Sequence, residues 1–189
     1  AEQTLFSVSQ NNIRKNYETI RVLLGQAIKQ IEDSRDQKFQ GIPSGFSRLD
    51  AITGGWQNSD LILLGARSGM GKSALVGALA RNASVDFNKP VAIFSLEMTS
   101  LQLVMRLISS ETEFTGEKLR RGDMSPDEFR ILNERITKLS SAPLLIDDTP
   151  ALSVFEFRAK AKRLKSEHNV GLIIVDYLQL MTFGEQTRG

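Results

Sequence analysis

Eight consecutive residues, Ala66-Arg67-Ser68-Gly69-Met70-Gly71-Lys72-Ser73, combine two glycines, an ammonium and a hydroxyl in a spacing that suits phosphate. Gly69 and Gly71 let the backbone turn tightly and aim N–H groups at phosphate oxygens. Lys72 can reach the β- and γ-phosphates, and the Ser73 hydroxyl can ligate Mg²⁺. The string matches the P-loop pattern except that Ala66 replaces its first glycine. An apolar run before it, Leu61–Ala66, reads as a buried strand, and Lys72 to about Val85 reads as a helix. This strand–loop–helix context is what the motif needs, because the helix N-terminus adds partial positive charge beside the phosphates. The observation implies binding of ATP or a similar triphosphate with Mg²⁺.

Two carboxylates complete the candidate chemistry. Asp176 ends the apolar run Leu172-Ile173-Ile174-Val175, about a hundred residues after the P-loop. A strand-end aspartate at that spacing suits a Walker B site, which supports magnesium. Glu97 ends the second apolar run, in Phe94-Ser95-Leu96-Glu97-Met98. Strand C-termini line the crevice of a parallel sheet, where a carboxylate can orient and deprotonate water. On residue type alone, a helix-initiating or solvated glutamate fits Glu97 equally well.

These residues need a scaffold, and the hydrophobic pattern supplies one. Apolar runs at 61–66, 90–96, 144–146 and within 171–180 alternate with amphipathic stretches. Strands buried on both faces and separated by helices imply a parallel α/β sheet. Ser125-Pro126-Asp127-Glu128 and Ser153…Glu156 are capping boxes, and Thr99 or Ser100 can cap the helix through Leu103 and Leu107. Arg120-Arg121-Gly122-Asp123 reads as a turn. Residues 10–32 form a separate helix, with Ile13, Tyr17, Ile20, Leu23, Leu24, Ala27, Ile28 and Ile31 on one stripe. A polar stretch, Asp33–Gly45, follows as a linker. The expected organisation is a linker helix with its connection over 1–38 and a nucleotide-binding core over 39–189.

Four segments together resemble the C-terminal domain of the DnaB-type replicative helicases: Gly45-Phe46-Ser47-Arg48-Leu49-Asp50 with Gly54-Gly55-Trp56; Ser59-Asp60-Leu61-Ile62 through Ser73; Ser95-Leu96-Glu97-Met98; and Asp176-Tyr177-Leu178-Gln179-Leu180-Met181. Ala66 is expected in that family's loop, whereas Ser68-Gly69 stands where proline-serine is usual and Trp56 where leucine is common. The resemblance covers about residues 40–184. It implies a RecA-like α/β fold, a mostly parallel sheet flanked by helices and preceded by a linker helix. It further implies ATP hydrolysis between the subunits of a homo-hexamer and 5′→3′ movement on single-stranded DNA in the cytoplasm. Primase and a helicase loader are the implied partners. By motif, Ala66 to Ser73 hold nucleotide, Lys72 and Glu97 act in catalysis, and Ser73 and Asp176 support magnesium. The family also has DNA-binding loops and an arginine finger beyond the equivalent of Gly189, so the sequence reads as a fragment. Other RecA-like ATPases, recombinases or clock-type rings, share the P-loop and strand-end glutamate; a nucleotide-binding interaction module with little turnover is a further alternative.

Bulk composition decides less. A net charge of +2 gives no argument for nucleic acid, so that reading rests on motifs. The absence of cysteine excludes disulfides and thiolate zinc sites. No run is long and apolar enough to span a bilayer, and the first residues carry no signal-peptide pattern. His168 reads as a solvated or helix-capping residue, and Arg158, Lys160, Lys162, Arg163 and Lys165 as a solvated face rather than a DNA contact. Asp147 and Asp148 fit turn capping at least as well as a metal role.

Overall fold

The computed structural model describes residues 18–33 and 41–182. By backbone proximity the chain divides into two units, Ala1–Gln40 and Gly41–Gly189. The first contains helix α1, Ile20–Asp33. Its apolar stripe is exposed: Ile20, Leu23, Leu24, Ile28 and Ile31 all face solvent. Residues 10–17 of the expected helix lie outside the described residues.

The second unit begins with a turn closed by backbone hydrogen bonds between Ile42 and Trp56 at 2.8 and 2.9 Å. Between them runs the short helix α2, Ser47–Thr53, ended by Gly54 in the left-handed region. Helix α3, Lys72–Arg81, continues into a π-helical turn at Asn82–Asp86. Strand β1, Val91–Ser95, leads to α4, Ser100–Thr112, then α5, Gly116–Arg121, and α6, Pro126–Ser140. Strand β2, Leu144–Asp147, precedes α7, Val154–His168, and strand β3, Leu172–Asp176. Thr99, Ser125 and Ser153 each close a capping box, reciprocally satisfying orphan N–H groups at the helix start. The Arg120–Asp123 turn proves to be a helix end, with Gly122 as the left-handed cap of α5.

All pairing among the named strands is parallel, in the order β2-β1-β3. Because side chains alternate across a strand, central β1 feeds two cores. Val91 and Ile93 pack on one face with Ala80, Ala83 and Leu103. Ala92 and Phe94 pack on the other with Leu152 and Val170, flanked by Phe157 and Leu164 of α7. Phe94 meets Phe157 edge to face, with centroids 4.9 Å apart and planes at 77°. Helices α3 and α4 therefore cover one face and α7 the other, as the unbroken apolar run in β1 requires.

One expected element is different. Leu61–Ala66 is not a strand, and it is not buried: Leu61 is 85% and Leu63 79% exposed. A doubly buried parallel strand needs ladder neighbours and helices on both faces. Among the described residues β3 pairs only with β1, and nothing pairs with 61–66.

Candidate nucleotide site

The P-loop follows that exposed run and starts with a turn in which the Met70 N–H donates to the Arg67 carbonyl at 3.2 Å. Gly69 and Gly71 have φ of +76° and +86°, where a side chain is strained. A Cβ on either would meet no atom within 4 Å, so conformation rather than crowding requires glycine, and the space above the loop is open. Gly71 caps α3, which makes Lys72 and Ser73 its first two residues. The unpaired N–H groups of that first turn and the positive end of its dipole therefore lie at the loop. Ala66, Arg67, Ser68 and Met70 are exposed along it.

Asp176 is buried at the C-terminal end of β3 and accepts a hydrogen bond from the Lys72 ammonium. The two side chains retain 25% (Lys72) and 10% (Asp176) of their exposure, so they neutralise each other in a partly desolvated place. The Tyr177 ring lies 4.9 Å from the same ammonium, within cation–π range. One interaction thus joins residues 104 apart and brings the P-loop to the end of the sheet.

Glu97 reaches the same end. Ser95 and Asp176 are register partners, and the Leu96 N–H donates to the Asp176 carbonyl at 2.8 Å. Glu97 follows directly and is exposed. With Met98, Leu101 and Gln102 it lines a groove of about 1200 Å³ whose other wall includes Ala74, Gly77 and Ala78 of α3. The buried Ser95 hydroxyl donates to the Met98 carbonyl at 2.7 Å and closes the turn around Glu97.

The acidic pair after β2 is engaged in hydrogen bonds. Asp147 accepts from Lys160 Nζ at 2.6 Å and from the Thr149 N–H at 3.0 Å. Burial pushes its carboxyl up, but the hydrogen bonds from Lys160 and Thr149 outweigh that and leave it below the usual range. Asp148 accepts from the Ser100 N–H at 2.6 Å, which holds its carboxyl low. Lys160 thus belongs to a structural pair rather than an open basic face.

Three contributors stand within the segments quoted above but received no role there. Tyr177 is marked only by following the strand-end aspartate. Ser95 is marked by a hydroxyl within an apolar strand end. Asp50 is buried and accepts from the Ser44 N–H and hydroxyl at 2.7 and 2.6 Å and from the Gly45 N–H at 3.1 Å. Asn82 donates to the Ser44 carbonyl at 3.1 Å, tying that turn to the end of the P-loop helix.

The donor set fits nucleotide and magnesium. Among the described residues no group of three or more His, Cys, Asp or Glu could cage a metal. Magnesium is commonly held by one or two oxygen ligands plus substrate phosphates and water. The Ser73 hydroxyl and Asp176 carboxylate are ligands of that kind, and the open glycine loop leaves room for phosphates.

Comparison with known proteins places the chain in a family. Residues 41–189 match the DnaB-like helicase C terminal domain. The chain is 41% identical over 183 residues to the replicative DNA helicase DnaB of Geobacillus stearothermophilus, covering 96% of this chain and 40% of that protein. It is 43% identical over 192 residues to the DnaB of Nostoc sp., covering 22% of that protein. The chain thus spans less than half the length of these relatives. Its fold superposes on a solved ATPase domain with a TM-score of 0.82 and 29% identity, over 92% of this chain and 62% of that one. A DnaB-like replicative helicase, solved with regard to its interactions with primase, gives 0.76 and 27%, over 100% of this chain and 46% of that one.

Proposed function

This chain belongs to the DnaB-like helicase C-terminal domain family, and from that premise we propose that it is the ATP-hydrolysing motor of a replicative DNA helicase. The observation that carries the reading is the convergence of Lys72, Asp176 and the Glu97 turn at one end of the sheet. The N–H groups of Gly69, Gly71, Lys72 and Ser73 would hold the polyphosphate, that of Met70 being engaged by the Arg67 carbonyl. Lys72 would turn from Asp176 to the β- and γ-phosphate oxygens, and Ser73 and Asp176 are the residues that would hold magnesium. Magnesium, when bound, offsets phosphate charge and orients the leaving group. Glu97 orients the attacking water and takes its proton.

The reading extends to the whole protein. A homo-hexameric ring hydrolyses ATP at its subunit interfaces and moves 5′→3′ on single-stranded DNA in the cytoplasm. Primase and a loader are its partners. The match of residues 41–189 favours this over a recombinase or clock-type ring. ATPase and unwinding assays on the natural full-length protein, with and without single-stranded DNA, test it. Lys72→Ala is expected to weaken Mg-ATP binding by about 1.5–3 kcal/mol, the worth of a charged hydrogen bond. Glu97→Gln is expected to keep binding and lose about 10²–10⁴-fold in turnover. Equal affinities for wild type and Lys72→Ala by calorimetry overturn the phosphate site, and undiminished hydrolysis removes Glu97.

A further inference from the structure

The turn carrying Glu97 is only four residues long, Leu96 to Thr99, between β1 and α4. Its start is fixed to the sheet through the Leu96 bond to Asp176 and folded by the Ser95 bond to Met98. Its end is the beginning of α4. There Thr99 already makes a complete capping box with Gln102, at 3.3 and 3.0 Å. The box serves the Thr99 and Gln102 N–H groups and leaves the Ser100 N–H, at the first helical position, with no cap inside the helix. That group has one from outside: Asp148, at the end of β2 and 48 residues away, accepts from the Ser100 N–H at 2.6 Å. A carboxylate supplied by another strand on that group caps α4 and at the same time ties its start to the end of β2.

We propose that Asp148 is a positioning residue for Glu97, holding the start of α4 against the end of β2 so that the glutamate faces the P-loop helix across their shared groove. The proposal rests on the reading of Glu97 as the group that orients water. Asp148 touches no reacting atom in this scheme; it acts through Ser100 and the turn. Its carboxyl is held below the usual range by the Ser100 N–H. A Glu97 free to swing with the end of α4 departs from the attack geometry, and displacement of about 1 Å can cost about a hundredfold in rate.

The test uses the full-length protein. Asp148→Ala is expected to lower kcat about 10- to 100-fold while leaving KM and nucleotide affinity nearly unchanged and the protein folded. Asp148→Asn keeps an acceptor oxygen and is expected to recover most of kcat. Ser100→Pro deletes the donor instead. Proline suits the first helical position, and Thr99 already has φ −67° and ψ 154°, the conformation a following proline demands. It is expected to reproduce the kcat loss with Asp148 intact, and it serves if Asp148→Ala does not fold. The deciding measurement is a double-mutant cycle by single-turnover hydrolysis. In a Glu97→Gln background, Asp148→Ala is expected to cost nothing more. An equal loss in both backgrounds, or an unchanged kcat for both Asp148→Ala and Ser100→Pro, overturns the proposal while leaving Glu97 in place. Retained turnover by Glu97→Gln alone removes the underlying reading and the proposal together.

Discussion

Asp176→Asn separates two roles that the geometry gives one carboxylate. Asp176 holds the Lys72 ammonium and, in the proposed mechanism, supports magnesium. Nucleotide arriving without magnesium must pull Lys72 away from Asp176 and place its phosphates near an uncompensated carboxylate. A hydrogen bond to a charged group is worth about 1.5–3 kcal/mol, and a neutral one about 0.5–1.5 kcal/mol. The substituted amide could still accept from Lys72, so the substitution releases the difference, about 1–1.5 kcal/mol. That is roughly five- to tenfold, at about 1.4 kcal/mol per decade. The variant is therefore expected to bind ATP in EDTA about five- to tenfold more tightly than wild type. It is expected to gain much less from added magnesium, having lost the anionic oxygen. Isothermal titration of the full-length protein with ATP, in EDTA and in excess magnesium, reads both numbers. Magnesium-free binding that is unchanged or weaker in Asp176→Asn refutes the idea that the carboxylate restrains Lys72.

Other expectations follow from packing and charge. Phe94 is fully buried between Phe157 and the sheet, so Phe94→Ala is expected to cost about 3–5 kcal/mol, read by denaturant unfolding. Asp147 has a depressed folded-state pKa; it stabilises the fold above its unfolded value and loses that contribution as pH falls through the lower folded value. Lys160→Gln leaves burial less opposed and raises the folded value, so acid unfolding followed by circular dichroism is expected to begin at higher pH. For α1, whose apolar stripe is exposed, Ile20→Asp with Leu24→Asp is expected to lower oligomerisation of the full-length protein while its motor domain stays folded. Sedimentation beside a thermal melt checks this, and a collapsed melt in a monomeric protein assigns the stripe to the domain's own core.

Much of the site was legible because local rules agreed with one another. Gly69 and Gly71 were expected to let the backbone turn tightly, and both adopt the positive φ that such a turn uses. Ser125-Pro126 and Ser153 announced helix starts that the backbone makes. The apolar runs at 90–96 and within 171–180 implied strands covered on both faces; β1 is buried throughout, whereas β3 is covered only in part. What stayed illegible is long-range. No local pattern says that the Lys72 ammonium bonds Asp176 directly, or that Asp148, 48 residues away, accepts from the Ser100 N–H. Those bonds are consequences of strand order and tertiary packing, which a sequence read along its length does not give.

The run Leu61–Ala66 shows the limit in one segment. Its residues are right for a buried strand, and the loop that follows has the backbone of a phosphate cradle without the strand being formed. Loop geometry is therefore set locally, by Gly69, Gly71 and the first turn of α3. Placement relative to the sheet comes from the packing of α3 against β1 through Ala80 and from the bond between Lys72 and Asp176. Apolar composition records that a segment gains by leaving water; it does not say which edge receives it. A backbone with no ladder partner keeps its N–H and C=O groups in solvent, because burying them unpaired costs more than its leucines gain. The exposed leucines and the β3 edge with no strand partner among the described residues are thus two sides of the same condition. The site holds together at this end of the sheet by a salt bridge and the Leu96–Asp176 hydrogen bond, rather than by a continuous ladder through the P-loop strand.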